Sequence, residues 1–401
     1  MHRVFGFGNA PRPTLAKRTA WWLAFIGGTA LLAACEQRPT NFSQFPGFRA
    51  YFAANPPSAA LPSGAERTLL HKYRPRLFVA KGQEGPIDFY ADYIAHGTLS
   101  DGNGKVLSRR VSRAILNRHK ANPRAVFVHR KGTAAPSPVA HARVDRHVLS
   151  FPGHGTEQFL FLTWHFTFRQ SGLPAGMSAM RGAIAGIFAS RKDWHQLDHY
   201  TAATLALDAK AKPVALVLQQ HNYMRTYLIG RDVIMPADGR IRIVAAIDSN
   251  ELYPFRAGAV RRRAAGFLTP ESLAYIMMLG APPFRAADDI TRPDREIAYR
   301  LRFLPATDAF YTFAGFLGER RWLPGRDGPP GAEFNTLPVI KGKPKELFLF
   351  YYRPKDRHHF RVLAPALESF ARKAVDRAVA AQATAFYRDW QAVRRKASAG
   401  R

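Results

Sequence analysis

The sequence predicts an α+β protein: an antiparallel β-sandwich core with helical insertions, followed by a helix-rich C-terminal extension. Between residues 67 and 258, short segments rich in β-branched and aromatic residues follow one another through short turns, which favours antiparallel strands. Beyond residue 258 the hydrophobic spacing becomes helical. Of the 401 residues, 47% are apolar and 22% are charged, so the chain can bury a core and is not globally disordered.

Residues 1–34 have the pattern of a bacterial lipoprotein signal peptide. Four basic residues and no acid precede an apolar run that starts at Trp21 and is too short for a membrane span. The run ends Leu32-Ala33-Ala34-Cys35, which resembles a lipobox, and Cys35 is the one cysteine of the chain. We expect lipidation at Cys35. Glu36 is not the aspartate of an inner-membrane retention signal, so the periplasmic side of the outer membrane is the expected location.

A Pro-rich tether is predicted for residues 35–66, between the lipid and the folded body. It contains five prolines among Asn, Ser and Gly: Pro39, Pro46, Pro56, Pro57 and Pro62. We expect the β-sandwich-like domain to occupy residues 67–258 and to be monomeric.

Five segments of that domain have strand character. They are residues 76–80, 159–168, 200–207, 213–220 and 240–247. The third and fourth flank a five-residue turn at 208–212, which predicts a β-hairpin. Two insertions interrupt the strands: residues 109–120 are predicted helical, and residues 176–190 are either a short helix or a loop.

The extension, residues 259–401, has two helical patterns and one strand candidate. Thr269-Pro270-Glu271 begins a helix that ends at Gly280, and residues 347–352 form the strand candidate. From residue 364 to about 395, small and apolar residues recur at helical spacing opposite a charged face. This long amphipathic helix either packs on the body or docks a partner or the membrane surface.

The charge balance is strongly basic: 59 Lys and Arg against 29 Asp and Glu give a net charge of +30. Behind a lipobox, the expected anionic partners are lipid headgroups or envelope polymers, and nucleic acid is not expected. The alternative is an Arg-rich surface without a dedicated partner. The two contiguous basic clusters, Arg261-Arg262-Arg263 and Arg357-His358-His359, are solvated faces or, as a second reading, anion-binding sites.

A cluster of His and Asp residues is a candidate site for one divalent ion, with zinc favoured. Asp193 and His195 lie two residues apart, so a strand would direct them to one face. His221 would end the partner strand of the hairpin at the same sheet edge, and His165 lies in the aromatic strand 159–168. Asp198 and His199 are held in reserve as ligands. The alternative is that these side chains only hydrogen-bond loop backbone or pack in the core.

Three stretches, in order, resemble the vacuolar protein sorting-associated protein 62-like family, and more distantly the necrosis-inducing-protein family. The first is the run 73–79 with the element 84–90, the second is the aromatic strand 161–166, and the third runs from Asp193-Trp194-His195 to Gln220-His221. A weaker fourth match is the segment 248–254. Together they cover about residues 68–258.

The resemblance implies a β-sandwich with a polar cleft, which is a candidate for metal binding. This sequence has His195 where the family has a glutamate, and Asn250 where it has a histidine. The resemblance therefore predicts a fold more strongly than an activity.

Two classes of function follow. The first is a lipid-anchored envelope protein that binds or scaffolds an envelope partner without chemistry. The alternative is a metal-dependent hydrolase that acts on an envelope lipid or glycan through the His/Asp cluster. No G-x-S-x-G motif is present, and lipidation would consume the one thiol, so Ser and Cys nucleophiles are not favoured.

Overall fold

The computed structural model of the chain describes residues 59–130, 137–172, 196–220, 223–255, 289–290, 293–318 and 383–399. Several predicted features lie outside these ranges: the signal peptide with Cys35, the tether up to residue 58, the insertion 176–190, the helix after residue 269, both contiguous basic clusters, the strand 347–352, and the long helix before residue 383. The predicted β-rich region lies mostly within them.

The largest sheet is built from β5 (Val139–Phe151), β6 (Gly155–Phe168), β7 (Asp198–Leu207), β8 (Pro213–Gln220), β9 (Tyr223–Leu228) and β13 (Arg300–Phe303). Their order is β13-β5-β6-β7-β8-β9. Neighbours from β5 to β9 pair antiparallel, whereas β13 runs parallel to β5. The predicted hairpin around the turn 208–212 is confirmed as β7 and β8, and the aromatic strand is confirmed as the second half of β6.

A second sheet has four strands: β1 (Arg76–Ala80), β10 (Arg242–Ala245), β11 (Leu252–Pro254) and β12 (Pro293–Ile297). Their order is β11-β10-β1-β12, and β1 is parallel to β10. The prediction of purely antiparallel sheets is therefore wrong, because both large sheets are mixed. Short turns specify only pairs of strands that are adjacent in sequence, and β1 and β10 are separated by the whole run from β5 to β9.

Both large sheets contribute side chains to one buried apolar cluster. Trp164, at the middle of β6, is fully buried there. Two strands beyond residue 258 belong to these sheets: β12 pairs with β1, and β13 pairs with β5. The shared cluster includes Leu77, Val79, Ile243 and Leu252 from the smaller sheet and Leu162, Phe166, Leu205 and Leu218 from the larger one.

A small third sheet contains β2 (Gly97–Ser100), β3 (Val106–Ser108) and β4 (Val126–His129), in the order β3-β2-β4. Between β3 and β4 lies helix α2 (Arg113–Arg118), inside the segment predicted helical. The Ser112 hydroxyl accepts the Ile115 N–H at 3.3 Å and so caps α2. Gly97 is required because a Cβ there would lie 2.1 Å from the Phe127 ring.

Helix α1 (Gly64–Lys72) precedes β1 and begins inside the segment 35–66 that the sequence assigns to the tether. Ser63 and Glu66 form a capping box, in which the Ser63 N–H donates to Glu66 Oε2 at 2.8 Å. Arg146 of β5 donates to the same carboxylate at 2.8 Å and ties the helix to the large sheet. No helix in the described ranges has the length and apolar content needed to cross a bilayer.

Two elements cover the outer face of the six-stranded sheet. Helix α4, residues 383–399, packs Phe386 and Trp390 against Phe151 and Phe159. At the other end of that face, Phe310 of the short helix α3 (Ala309–Thr312) lies in a cluster shared with the small sheet. Of the two alternatives for the long amphipathic helix, its described part therefore adopts the packed one.

Candidate functional site

Of the six predicted metal ligands, His165 and Asp198 have described side chains. Asp193, His195 and His221 lie outside the described residues, and His199 is described only as a backbone position of β7. Among the described side chains, no group of three His, Cys, Asp or Glu residues is placed to hold a metal ion. The zinc site therefore stays a prediction.

His165 is fully buried on β6, directly opposite His141 of β5. Its ring lies edge-on to Tyr311 at 5.2 Å and to Phe310 at 5.8 Å, and the His141 ring stacks on Phe310 at 4.4 Å. The aromatic residues of α3 therefore cover both imidazoles. The structure does not place His165 opposite Asp198, because His165 pairs with Ala202 and Asp198 pairs with Phe168 in the β6–β7 register.

Asp198 belongs to a polar cluster where both large sheets end. Its carboxylate accepts the Thr201 hydroxyl at 2.9 Å and the Asn250 side-chain amide at 3.3 Å. The Asn250 amide also donates to the Gln170 carbonyl at 2.8 Å, and Gln83 donates to Asn250 Oδ1 at 3.3 Å. These bonds join the ends of β1, β6 and β7 to the connection between β10 and β11.

The β10–β11 connection contains two non-glycine residues in the left-handed region, Asp248 at φ 65° and Asn250 at φ 60°. Asn and Asp tolerate this conformation better than other residues. Gly172 N–H donates to the Asp248 carbonyl at 2.7 Å, which holds the turn against the end of β6. This turn is the segment that carries the fourth match to the resembled family. These hydrogen bonds connect the turn to the ends of both large sheets.

A groove of about 490 Å³ opens between α2 and the segment before α3. Its polar lining is Arg113, Asn117, Lys120, Thr307 and Asp308. The Asp308 carboxylate is 2% exposed and accepts Arg113 Nε at 2.7 Å and the Asn117 amide at 3.2 Å. Lys120 Nζ donates to the Thr307 carbonyl. The groove walls are therefore held together by ionic and polar contacts.

Asp308 also accepts the Tyr90 hydroxyl and, at 2.9 Å, the Phe310 N–H at the start of α3. Burial, then the charge of Asp308, raises the pKa of Tyr90 well above its usual value, so Tyr90 stays a neutral donor. Burial lowers the pKa of Arg113, but the hydrogen bond and charge of Asp308 outweigh it and the net pKa is raised. Arg113 is therefore a permanent cation at the groove, and half of its side chain (51%) is exposed.

The groove belongs to a segment with an unusual charge balance, residues 97–130, which we call the basic module. It contains eight Lys and Arg residues and one acid, Asp101. Seven of the eight cations are exposed, and Lys120 is half-buried. Among the described residues, Arg113 is the one of the eight that forms an ion pair. The cations are Lys105, Arg109, Arg110, Arg113, Arg118, Lys120, Arg124 and Arg130.

Sequence reasoning missed the basic module because its cations are dispersed along the segment. Contiguous runs of basic residues, such as residues 261–263, are more evident in a sequence. The signal was present in the ratio of basic to acidic residues over a window of about thirty residues. The small sheet and α2 then gather those cations into one compact unit, which is attached by the Phe127 N–H bond to the Phe316 carbonyl at 2.8 Å.

Comparisons with protein-family models, with curated proteins and with solved structures found no match to this chain. The resemblance to the vacuolar protein sorting-associated protein 62-like family therefore stays a prediction that rests on its motif residues.

Proposed function

We propose that the chain is a lipid-anchored protein of the cell envelope that works by binding, and that the basic module is its contact surface for anionic lipid headgroups. The observation that carries this proposal is the charge of the basic module: eight cations, one acid, and a single ion pair among the described residues. A cation without a paired acid keeps its attraction for external anions.

The lipobox at Cys35 supports a membrane surface as the partner. An acyl anchor holds the folded body beside the bilayer, and a polybasic surface then adds a second attachment. Each Lys or Arg near an anionic surface contributes about 1 kcal/mol, so several together reinforce an anchor substantially. Binding of this kind needs no catalytic group, which favours the binding class over the hydrolase alternative.

We also infer that the four-stranded and six-stranded sheets form a β-sandwich that carries the basic module at its side. The apolar cluster to which both sheets contribute, and in which Trp164 is fully buried, supports this arrangement. The sandwich provides a rigid body, while the basic module carries the contact surface.

Anchoring is tested by detergent partitioning of the wild type and Cys35→Ser. We expect the wild type to partition with membranes and to gain the mass of its acyl chains, and the variant to lack that mass. An unchanged mass in the wild type would refute the lipid anchor.

The contact surface is tested with the Cys35→Ser chain, which lacks the acyl chains, on phosphatidylglycerol and phosphatidylcholine vesicles. We compare two triple variants that remove three exposed arginines each. The first is Arg109→Gln/Arg110→Gln/Arg124→Gln within the basic module, and the matched control is Arg242→Gln/Arg300→Gln/Arg395→Gln outside it.

Removing three module cations should weaken binding to phosphatidylglycerol vesicles by roughly 100-fold, at about 1 kcal/mol per cation. The control should lose much less at 0.1 M salt, because the screening length is then about 10 Å. Equal losses from both triples would show general charge attraction instead of a dedicated surface. Absence of vesicle binding in the unsubstituted Cys35→Ser chain would refute the lipid proposal.

A further inference from the structure

The groove between α2 and residues 305–308 has the chemistry of an anion subsite within the basic module. We propose that it binds a phosphoryl group, in the form of a phosphate ester, and so places the phosphate of the anionic ligand. This proposal rests on the proposed function and names the chemical group that the same surface recognises.

The net charge of the groove is the first argument. Its ionisable lining residues are Arg113, Lys120 and Asp308. The Asp308 carboxylate is buried and already accepts four donors, so its acceptor capacity is taken up inside the protein. Two cations against one matched acid leave the groove with one positive charge, which favours the binding of an external anion.

Both cations of the groove are also held in place before a ligand arrives. Arg113 is held through its Nε by the bond to Asp308, and Lys120 is held by its bond to the Thr307 carbonyl. Asn117 braces the same wall, since it donates to the Arg113 carbonyl at 3.0 Å and accepts the Ala309 N–H at 3.0 Å. A guanidinium fixed in this way loses little entropy when it binds a phosphate.

The volume of the groove also favours a phosphate ester. A groove of about 490 Å³ is larger than a phosphate ion needs, so it also accommodates the group that the phosphate esterifies. A tetrahedral phosphate has oxygens in several directions, which suits a groove lined by two separate cations, Arg113 on α2 and Lys120 after it. A planar carboxylate uses one fork of donors and makes weaker use of two separate cations.

The test uses the Cys35→Ser chain and glycerol 3-phosphate as the probe, with glycerol as the neutral comparison, followed by isothermal titration calorimetry at constant ionic strength. We expect Lys120→Gln to weaken binding of glycerol 3-phosphate at least tenfold. The matched control Lys105→Gln removes the same charge from the same module outside the groove and should leave the affinity within twofold. Equal losses in the two variants would overturn the proposal.

A second variant removes no contact. Ala114 lines the groove and is exposed, so Ala114→Glu adds a negative charge at the site, with Ala121→Glu as the exposed control outside it. Ala114→Glu should abolish binding of glycerol 3-phosphate at an unchanged melting temperature, and Ala121→Glu should not. No binding of glycerol 3-phosphate to the unsubstituted chain at millimolar concentration would overturn the proposal outright.

Experiments with vesicles distinguish a lipid headgroup from a soluble phosphate ester as the source of the phosphate. They also test the membrane contact and the phosphate site independently of each other. Glycerol 3-phosphate that competes with phosphatidylglycerol vesicles supports a lipid headgroup in the groove. If glycerol 3-phosphate binds but vesicles do not, the ligand of the groove is a soluble phosphate ester. The proposed phosphate site is then supported, and the proposed membrane contact is refuted. If vesicle binding survives Ala114→Glu but is lost in the triple arginine variant, the proposed membrane contact is supported. The proposal that the groove binds the lipid phosphate is then refuted.

Discussion

The six-stranded sheet and the basic module are stabilised in different ways. Along β6, all ten residues from Phe159 to Phe168 are buried, because apolar side chains cover the sheet on both faces. The basic module has strands of three or four residues and buries one side, around Leu99, Leu116 and Phe127. This buried side shares an apolar cluster with residues outside the module, such as Phe310, and ionic contacts at Asp308 add to that attachment. Apolar burial therefore dominates in the sheet, while the module keeps charge at its surface.

This difference teaches where substitutions should affect folding and where they should affect binding. A change inside the large sheet removes apolar contacts that nothing replaces. A change of an exposed cation in the module removes a charge that water solvates in either state.

The largest loss of stability is expected from Trp164→Ala. This side chain is fully buried in the cluster shared by both large sheets, so its removal leaves a cavity. Substitutions of this kind cost about 3–5 kcal/mol of unfolding free energy, measured by urea denaturation. Val148→Ala on β5, where the side chain is 51% exposed, is the control and should change the unfolding free energy by less than about 0.5 kcal/mol. Similar losses from both would contradict the buried position of Trp164.

A smaller loss is expected from Asp308→Asn. The substitution keeps the size of the side chain but removes the charge that Arg113 and the Tyr90 hydroxyl contact. Leaving a buried donor poorly matched costs about 1–3 kcal/mol, and the half-exposed Arg113 regains water, which favours the lower part of that range. Thermal unfolding of Asp308→Asn and of the exposed control Asp294→Asn measures it. If the control loses as much, the ionic attachment of the module contributes nothing.

The smallest effect concerns the pH dependence of the module, through His129 of β4. Burial, then the positive charges of Arg169 and His96, lower the pKa of His129 below its usual 6.5, and its ring stacks on Tyr93. The unfolded chain therefore binds this proton at higher pH than the folded chain. It follows that the free energy of unfolding falls as the pH drops below about 6.5 toward the folded pKa.

His129→Phe keeps an aromatic ring against Tyr93 and removes the titration. The difference in melting temperature between about pH 7.5 and about pH 5 should be smaller in this variant than in the wild type. An NMR titration of the wild type should give a pKa below 6.5 for His129. The same pH dependence in both proteins, or a pKa above 6.5, would contradict the environment described for β4.

Part of the candidate site could be predicted, and part could not. Asp198 belongs to the predicted cluster of His and Asp residues, and its carboxylate accepts hydrogen bonds at a sheet end, while its role as a metal ligand stays a prediction. Its partner Asn250 could not be paired with it from spacing, because the bond between them spans 52 residues. The groove was missed for the same reason, since Arg113 and Asp308 are 195 residues apart.

The sequence by itself determined the elements that depend on neighbours along the chain. β1, the aromatic half of β6 and the hairpin β7–β8 follow from β-branched and aromatic runs and from a turn at 208–212, all of which are local signals. β5 was overlooked, although Ala140, Ala142 and Val144 alternate with His141, Arg143 and Asp145. This alternation of apolar and polar residues is typical of a strand, but the polar residues at every second position made the strand less evident.

Only the tertiary structure decided the parallel pairing of β1 with β10 and of β13 with β5, and the burial of a polar row that contains His141 and His165. Strand pairing across a long loop is set by which apolar faces fit together, and local periodicity does not record that fit. The same holds for the basic module. Its cations are visible in the sequence, but their assembly around a buried carboxylate depends on Asp308, which the fold brings to α2 from the distant segment before α3.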